Sequence, residues 1–547
     1  MTALRRHRAL LLAVAGGLVF ALSSPPTNLY PAVLVGLALL AASIADGAPA
    51  TGAGTSSPSE SPSPNSPGFF RAFGRGAAWG TAAGLVGLRF VPAVIQRFTP
   101  LGGAASYLAL LLLAAGQSLL WAVGAGVTAT LHRRARVPFE LAFAAGILVS
   151  LSLPTVFAWS PAGLVSPWPA FVQLADVVGE RGVSVVFALV AALLARAGFA
   201  LASRSTRRAA LPRALVAAAI LVALPVHGAL RMAAITRASV ALPRLRVGLV
   251  DHAVKPLDRW DPKNHAVILR SLRTLTRRLE AEGAELTVWP EAAYPYALSH
   301  DAREAPRGHH AIVGNGVRGP LLIGLITEEQ PATLDSGEIE RNLYNSATIV
   351  LPDGSMEAPY DKLQLLWFGE MVPGGAQIPW LRHQFQRSGG LIPGAAPRSL
   401  ALPAPLDGDA LAPRIAVLNC YEDTLPDLGR RLAGALAPNL LVNITNDAWF
   451  YATAEPELHA RLGAMRAIEL RRDLVRSVNL GVTSWIDAAG VVRARYAAEE
   501  AGTLLTAPAL RDDAPTFYAR FGDLPVFVIL AAAALAFGWR ARKRSLA

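Results

Sequence analysis

Long apolar runs fill most of the first 235 residues and return once near the end of the chain. Each is about as long as the roughly 20 residues that a helix needs to cross a hydrocarbon core of about 30 Å. A few are short or contain arginine, so we predict about eight transmembrane helices, with seven as the alternative count. The runs cover residues 9–23, 29–45, 76–95, 104–131, 139–159, 183–201, 215–235 and 524–539.

Residues 243–510 show a mixed pattern of apolar and polar positions. Residues 244–250 alternate and then run apolar, as a buried strand does. Apolar residues next recur on one helical face, at Ile268, Leu272, Leu275 and Leu279. Further strand-like segments cover residues 286–289, 321–326, 347–351, 415–419 and 440–445. Strands that alternate with helices predict a layered α/β domain.

Composition and charge add an orientation to this outline. The 547 residues are 53% hydrophobic and 16% charged, which is too apolar for an ordinary soluble protein and too long for one domain. Basic residues flank alternate ends of the predicted spans, and the loops near Pro25, near Gly102 and over residues 164–179 carry none. The positive-inside rule then predicts cytoplasmic termini and an outer location for residues 243–510. The net charge of +12 therefore indicates topology rather than nucleic-acid binding.

Residues 46–68 form a stretch made almost entirely of Gly, Ala, Pro, Ser and Thr. Such a composition cannot bury enough apolar surface to order itself. We therefore predict a flexible cytoplasmic linker between the second and third spans.

Three reactive side chains each follow a strand-like segment. The only cysteine, Cys420, comes after residues 415–419, Glu291 comes after residues 286–289, and Lys362 follows Tyr360-Asp361. Together they offer a nucleophile, a base and an electrophilic cation. Each alone is better explained as a buried thiol, a surface carboxylate or a solvated lysine. The ordered set favours catalysis.

The motifs around these residues resemble the Glu–Lys–Cys signature of the nitrilase, or carbon-nitrogen hydrolase, superfamily. They are Trp289-Pro290-Glu291, Asp361-Lys362 with Phe368-Gly369-Glu370, and Cys420-Tyr421-Glu422. Together with the membrane spans, three later motifs resemble the apolipoprotein N-acyltransferase family of bacteria, a membrane-embedded branch of that superfamily. These are Asn446-Asp447-Ala448-Trp449-Phe450, Arg466-Ala467-Ile468-Glu469 and Asn479-Leu480-Gly481.

The resemblance implies three domains. Residues 1–242 form the N-terminal transmembrane helices, and residues 243–512 form a nitrilase-like catalytic domain with a four-layer αββα sandwich. Residues 513–547 form a C-terminal transmembrane helix and a basic cytoplasmic tail.

The resemblance also implies a role for each residue of the trio. Glu291 is the general base, Lys362 stabilises the oxyanion, and Cys420 forms a thioester. Glu370 matches a second family glutamate that orients Lys362 or the acceptor amine.

Four more residues match positions near the family's site. Tyr421 and Glu422 adjoin the nucleophile, and the Tyr421 N–H is a candidate oxyanion donor. Trp260 either lies near the site or anchors the domain at the membrane interface. Trp449 either lines an acyl-chain pocket or packs in the core.

The implied reaction is a ping-pong acyl transfer that needs no metal or dissociable cofactor. A phospholipid, with phosphatidylethanolamine as the expected donor, acylates Cys420 and leaves as a lysophospholipid. The amino group of an S-diacylglyceryl cysteine on an apolipoprotein then takes the acyl chain. A monomer in the bacterial inner membrane, with a periplasmic catalytic domain, is expected.

Two other functions fit the same sequence. The first is a membrane-tethered amidase or nitrilase that hydrolyses a C–N bond. The second is a catalytically inactive relative that binds lipoproteins.

Overall fold

The computed structural model describes residues 2–45, 67–202, 207–330, 332–333, 339–340, 342–372, 390–403 and 411–546. The chain divides into two compact units. The first comprises Met1–Arg97, Leu101–Leu230 and Phe521–Ala547, and the second comprises Phe98–Pro100 and Arg231–Arg520. The predicted linker at 46–68 lies outside the described residues, apart from its last two positions.

The α-helices of the described residues are labelled α1 to α15 in chain order. They are α1 (Thr2–Ala21), α2 (Ala32–Ile44), α3 (Phe69–Gly87), α4 (Val91–Phe98), α5 (Gly103–Arg134), α6 (Phe139–Ser152), α7 (Pro161–Val165), α8 (Ala175–Leu201), α9 (Ala210–Ser239), α10 (Pro256–Trp260), α11 (His265–Ala281), α12 (Pro426–Leu436), α13 (Glu455–Leu470), α14 (Phe517–Phe521) and α15 (Leu524–Leu546).

Three helical segments of the described residues are long and apolar enough to cross a membrane, namely Gly103–Arg134, Ala175–Leu201 and Arg207–Ser239. Helices α3 and α4 qualify as a fourth span if the pair, bent by 58°, is counted as one. Shorter apolar helices cover His7–Ala21, Ala32–Ile44, Phe139–Ser152 and Leu524–Arg540. Length and composition therefore support three or four spans, and each of the eight predicted runs overlaps one of these helices or the bent pair.

The predicted run at 139–159 is the clearest difference from the sequence pattern. Its helix, α6, ends at Ser152. Leu153 is extended and precedes Pro154. A residue before proline is disfavoured in the helical conformation, so the apolar run continues after the helix has ended.

Small residues bring α3 and α5 close together. A Cβ added at Gly76, Gly80 or Gly84 of α3 would lie 2.5, 2.9 or 3.0 Å from the nearest atom of α5. These glycines are four residues apart and share one helix face. Small residues at this spacing are typical of helix contacts inside membranes, where backbones pack closely.

The second unit contains two main sheets and a small hairpin. The first sheet has the order β15-β1-β2-β4-β7-β8, with β3 paired to β4. Its strands are β1 (Val247–Asp251), β2 (Leu286–Val288), β3 (Leu298–Ser299), β4 (Leu321–Glu328), β7 (Leu343–Val350), β8 (Tyr360–Asp361) and β15 (Gly502–Thr506); the hairpin is β5 (Ala332–Thr333) with β6 (Ile339–Glu340). Strands β1, β2 and β4 run parallel.

The second sheet has the order β14-β13-β12-β11-β10-β9. Its strands are β9 (Ser399–Ala401), β10 (Arg414–Asn419), β11 (Leu440–Asn446), β12 (Leu474–Asn479), β13 (Thr483–Ile486) and β14 (Val492–Tyr496). The three central strands, β10, β11 and β12, are parallel. Their carboxyl ends therefore lie at one edge, which is where α/β sheets commonly place their reactive groups.

A single apolar core joins the two sheets. Val288 and Ile349 of the first sheet belong to the same buried cluster as Val417 and Leu441 of the second. Leu428 of α12 and Ala467 of α13 belong to this cluster as well. Helix α11 packs against the first sheet, and its Leu272 shares a second cluster with Ile323 of β4. The sheets thus lie between helices on either side.

Candidate active site

The only cysteine lies where β10 gives way to a short helical turn, Cys420–Thr424. Cys420 is half-buried and has a φ of 58°, in the left-handed region that non-glycine residues rarely adopt. Its carbonyl accepts a hydrogen bond of 2.9 Å from the Asn443 side chain. Such strained residues persist where the surrounding structure holds them, and they cluster at functional sites.

Glu422 ties the cysteine turn to the segment that carries Lys362. Its buried carboxylate accepts a hydrogen bond of 2.7 Å from the Tyr360 hydroxyl and another of 2.7 Å from the Leu363 N–H. Tyr360 and Leu363 lie on both sides of Lys362 in the chain. Glu422, two residues after Cys420, therefore holds the lysine segment in place.

Lys362 lies between two carboxylates. Its Nζ donates to Glu291 Oε1 at 3.2 Å and to Glu370 Oε1 at 2.8 Å, and its side chain is only 1% exposed. Burial alone lowers the pKa of Lys362, but the charges of Glu291 and Glu370 outweigh it and raise the pKa well above its usual range. The ammonium therefore stays charged in a site that excludes water.

Glu291 is positioned by contacts from three directions. Besides its contact with Lys362, the Glu291 carboxylate accepts a hydrogen bond of 2.9 Å from the Asn446 N–H and one of 2.7 Å from the Asn345 side chain. Asn345 also donates 2.8 Å to Glu370, so it bridges the two glutamates. The backbone of Gly324 lies so close to the Glu291 segment that an added Cβ would fall 2.7 Å from the Glu291 Cα. That close approach requires glycine.

Burial raises the pKa of the Cys420 thiol well above its usual range. The charge of Glu291 raises this pKa further, whereas the charge of Lys362 lowers it. The thiol is therefore protonated near neutral pH, and a base must take its proton before it can attack a carbonyl carbon.

Tyr421 connects the cysteine turn with the lysine segment. Its hydroxyl donates 3.0 Å to the Leu365 carbonyl, and its ring centroid lies 5.7 Å from Lys362 Nζ. The side chain thus contacts the lysine segment, while the backbone N–H belongs to the turn that starts at Cys420.

Trp260 and Trp449 lie together in the second unit. Their rings meet edge to face, with centroids 5.4 Å apart. Trp449 lies three residues after Asn446, whose N–H donates a hydrogen bond to Glu291. Trp260 follows Arg259, whose Nε donates a hydrogen bond of 2.9 Å to the carbonyl of Ala292, the residue next to Glu291. Both tryptophans are therefore attached to segments that position Glu291.

Comparisons with known proteins show which family the chain belongs to. The carbon-nitrogen hydrolase family matches residues 246–512. An apolipoprotein N-acyltransferase of Geobacter metallireducens is 29% identical over 396 residues, which is 72% of each chain. Another from Bradyrhizobium diazoefficiens is 30% identical over 489 residues, covering 84% of this chain and 79% of that one. The chain belongs to the apolipoprotein N-acyltransferase family. It is accordingly an acyltransferase with a carbon-nitrogen hydrolase domain.

Two further matches extend the comparison. An apolipoprotein N-acyltransferase of Pseudomonas syringae pv. tomato is 28% identical over 508 residues, covering 90% of this chain and 89% of that one. A solved amidase of the nitrilase superfamily from Nesterenkonia AN1 is 18% identical with a TM-score of 0.34, covering 52% of this chain and 97% of that one.

The site of this apolipoprotein N-acyltransferase family member also contains residues that sequence reasoning missed. Asn345, which contacts both glutamates, lies inside strand β7 and belongs to no motif of the sequence analysis. Asn446 is part of a recognised motif, but its N–H and not its side chain contacts Glu291. Asn345 lies next to Ser346 at the start of β7 and outside the predicted strand at 347–351, so the sequence pattern gave no signal that marked it.

Proposed function

We propose that this acyltransferase moves an acyl chain from a phospholipid to the N-terminal amine of a diacylglyceryl apolipoprotein through a thioester on Cys420. The observation that carries this proposal is the position of Lys362. A buried ammonium lies 3.2 Å from Glu291 and its charge acts on the Cys420 thiol, so a base, a cation and a nucleophile share one site.

In the first half-reaction the Cys420 Sγ attacks the ester carbonyl carbon and Glu291 takes the thiol proton. The carbonyl oxygen becomes an oxyanion, which Lys362 Nζ and the Tyr421 N–H stabilise. When this intermediate collapses, the C–O bond of the ester breaks and a thioester remains on Cys420. Glu291 returns its proton to the departing oxygen, which leaves as the hydroxyl of a lysophospholipid.

In the second half-reaction the acceptor amine attacks the thioester carbon. Glu291 accepts a proton from the attacking nitrogen, and the same two donors hold the new oxyanion. The C–S bond then breaks, an amide forms, and the proton on Glu291 returns to the Cys420 sulfur. The enzyme is regenerated without a metal or a dissociable cofactor.

The surrounding residues have supporting roles in this proposal. Glu370 keeps Lys362 oriented, and Glu422 fixes the cysteine turn against the lysine segment. Trp260 and Trp449 line the route of the acyl chain, since their large apolar rings lie beside the segments that position Glu291.

A membrane-embedded enzyme suits a donor that resides in the bilayer. Acyl chains that stay in the bilayer avoid a cost of about 0.8 kcal/mol for each methylene exposed to water.

We propose eight spans, in which the shorter helices also cross, in a bacterial inner membrane. The proposed domains are the N-terminal transmembrane helices at 1–242, the periplasmic catalytic αββα sandwich at 243–512, and the C-terminal transmembrane helix with its basic tail at 513–547. Both termini lie in the cytoplasm in this proposal. Phosphatidylethanolamine is the proposed donor, and a monomer is the proposed state.

The experiment that tests this function is intact-mass analysis with a phospholipid that carries a labelled acyl chain. We expect the purified protein to gain the mass of one acyl chain, and Cys420→Ala to gain none and to lose N-acylation of a diacylglyceryl lipopeptide. If Cys420→Ala still acylates the lipopeptide, the thioester route is wrong.

The same assay separates the two other functions. A membrane-tethered amidase would turn over a soluble amide without acylating the lipopeptide. An inactive lipoprotein-binding relative would form no acyl adduct on Cys420 under any condition while still binding the lipopeptide.

A further inference from the structure

A buried group of charged side chains lies behind the cysteine turn. His459 of α13 has its Nδ1 3.0 Å from Asp447 Oδ1 and its Nε2 2.9 Å from Asp423 Oδ1. Arg476 of β12 pairs with the other oxygen of Asp423. All four side chains are buried. No step of the proposed acyl transfer uses them.

The contacts of His459 identify its charge state. A carboxylate accepts hydrogen bonds, so a ring that faces one carboxylate from each nitrogen carries a proton on both. Burial alone lowers the pKa of His459, but the charge of Asp447 and the hydrogen bond to it outweigh burial and raise the pKa to about 9. The cations of His459 and Arg476 thereby offset the anions of Asp423 and Asp447.

The same contacts argue against a metal at this place. Ligand atoms of Asp447, Glu455 and His459 lie within 4.8 Å of one another. A metal ligand must offer a nitrogen lone pair, but both nitrogens of His459 are engaged by carboxylates. Burial, and then the charge of Asp447, raises the pKa of Glu455 to about 8, so that carboxyl group is mostly neutral near pH 7. The group therefore forms an ion-pair bridge instead.

This bridge joins the two segments that carry the nucleophile and hold the base. Asp423 lies three residues after Cys420 in the same helical turn. Asp447 directly follows Asn446, whose N–H donates 2.9 Å to Glu291. The two segments leave neighbouring parallel strands, β10 and β11, at their carboxyl ends. Beyond those ends, no ladder hydrogen bonds keep the segments at a fixed separation.

We propose that His459 is a positioning residue for acyl transfer, holding the Cys420 turn and the Asn446–Asp447 turn at the separation that the thiol and Glu291 require. This inference rests on the proposed function of Cys420 and Glu291. The left-handed backbone of Cys420, with its φ of 58°, adds to the need for such a support.

The test compares His459→Gln with Asp473→Asn. Glutamine keeps a similar size but has no charge and cannot donate in two opposite directions. Asp473 is also buried, and its carboxylate pairs with the buried Arg511 at 3.9 Å. It also accepts hydrogen bonds from Trp485, Ala488 and Ala509. It precedes β12, however, at the end of the sheet opposite the site. It is therefore a matched control for the loss of a buried ionic contact.

Four quantities are measured for each protein in detergent: the single-turnover rate of Cys420 acylation at saturating phospholipid, the donor concentration at half that rate, the rate of Cys420 alkylation by iodoacetamide, and the unfolding temperature. We expect His459→Gln to lower both rates about 10- to 100-fold with an unchanged half-saturating concentration, because misplacing reacting groups slows chemistry without weakening substrate binding. Asp473→Asn should lower the unfolding temperature and leave both rates near those of the parent.

Equal rates in His459→Gln and Asp473→Asn at similar unfolding temperatures would overturn the positioning role and leave a structural one. If His459→Gln does not fold, Asp447→Asn, which removes one end of the bridge, is judged by the same criteria. If the parent protein forms no thioester at all, the proposed function itself fails, and that result is distinct from parent activity with an unaffected His459 variant.

Discussion

At the scale of single residues, the two carboxylates around Lys362 decide what the lysine can do. Its ammonium contacts both Glu291 and Glu370, so its charge is partly offset before any substrate binds. In the proposed mechanism, a developing oxyanion adds a third acceptor to the same point charge. The role therefore depends on the compact shape of the ammonium as well as on its charge.

We predict that Lys362→Arg is almost as inactive as Lys362→Ala. A guanidinium is planar and broad, and beside two glutamates it forms a bidentate pair with one of them instead of facing the oxyanion. Losing one oxyanion donor typically lowers turnover by about two to three orders of magnitude. The measurement is single-turnover acylation of Cys420 from phospholipid.

The control for this prediction is Lys263→Arg, at an exposed lysine of the same domain. It should acylate like the parent, and all variants are checked for expression and membrane insertion. Parent-like acylation by Lys362→Arg would mean that Lys362 supplies only general positive potential.

The sequence was sufficient to propose the reactive residues and the nearby supports Glu370 and Glu422, but not the supports that lie inside regular elements. Glu291 and Cys420 each follow a short apolar strand, and chemistry at a strand end is a pattern that sequence preserves. Asn345 and His459 lie inside a strand and a helix, where only the fold determines what they face. The spacing along the chain between Asn345 and Glu291 gives no indication of their contact.

At the scale of elements, apolar runs predicted six of the described strands, β1, β2, β4, β7, β10 and β11. Buried polar residues explain why one of the others, the central strand β12, was missed. Strand β12 contains Arg476, Ser477 and Asn479, all buried and polar. Arg476 forms an ion pair with Asp423, and the Ser477 hydroxyl donates a hydrogen bond of 2.8 Å to the Val250 carbonyl. Partners in other elements satisfy these groups, so the strand needs no apolar alternation and the pattern rules could not detect it.

The glycines of α3 give a prediction at this scale. Gly80→Val should separate α3 from α5, because even a Cβ at this position would lie 2.9 Å from Ser118 Cα. Overpacking of this kind costs about 1–3 kcal/mol. We expect a lower unfolding temperature in detergent and a lower yield of folded protein.

The matched control is Gly116→Val on α5. Gly116 is exposed, and a Cβ there would meet no atom within 4 Å. It carries the same cost of valine in a helix without the crowding. Equal destabilisation by both changes would show that helix propensity, and not the contact between α3 and α5, causes the loss.

At the scale of the whole molecule, the number of spans determines where the catalytic domain lies. Three segments and one bent pair are long and apolar enough to cross, and four shorter apolar helices accompany them. If one short helix does not cross the membrane, every later segment of the chain is assigned to the opposite side of the membrane. The proposed count of eight, in which all of these helices cross, comes from the alternation of basic and non-basic loops along the sequence.

The single natural cysteine makes this count testable, because Cys420→Ala leaves a background without thiols. We predict that cysteines introduced by Thr27→Cys and Gly102→Cys react with a membrane-impermeant maleimide in spheroplasts. Those introduced by Ala135→Cys and Ala202→Cys should react only after the membrane is permeabilised. Helix α2 and the bent pair of α3 and α4 lie between the first two positions, so equal labelling means that both cross or that neither does. Helices α6 and α8 lie between the second two, and the same holds for them. Opposite labelling within either pair would mean that one of the two intervening elements does not cross, and the periplasmic assignment of residues 243–512 would then have to be reconsidered.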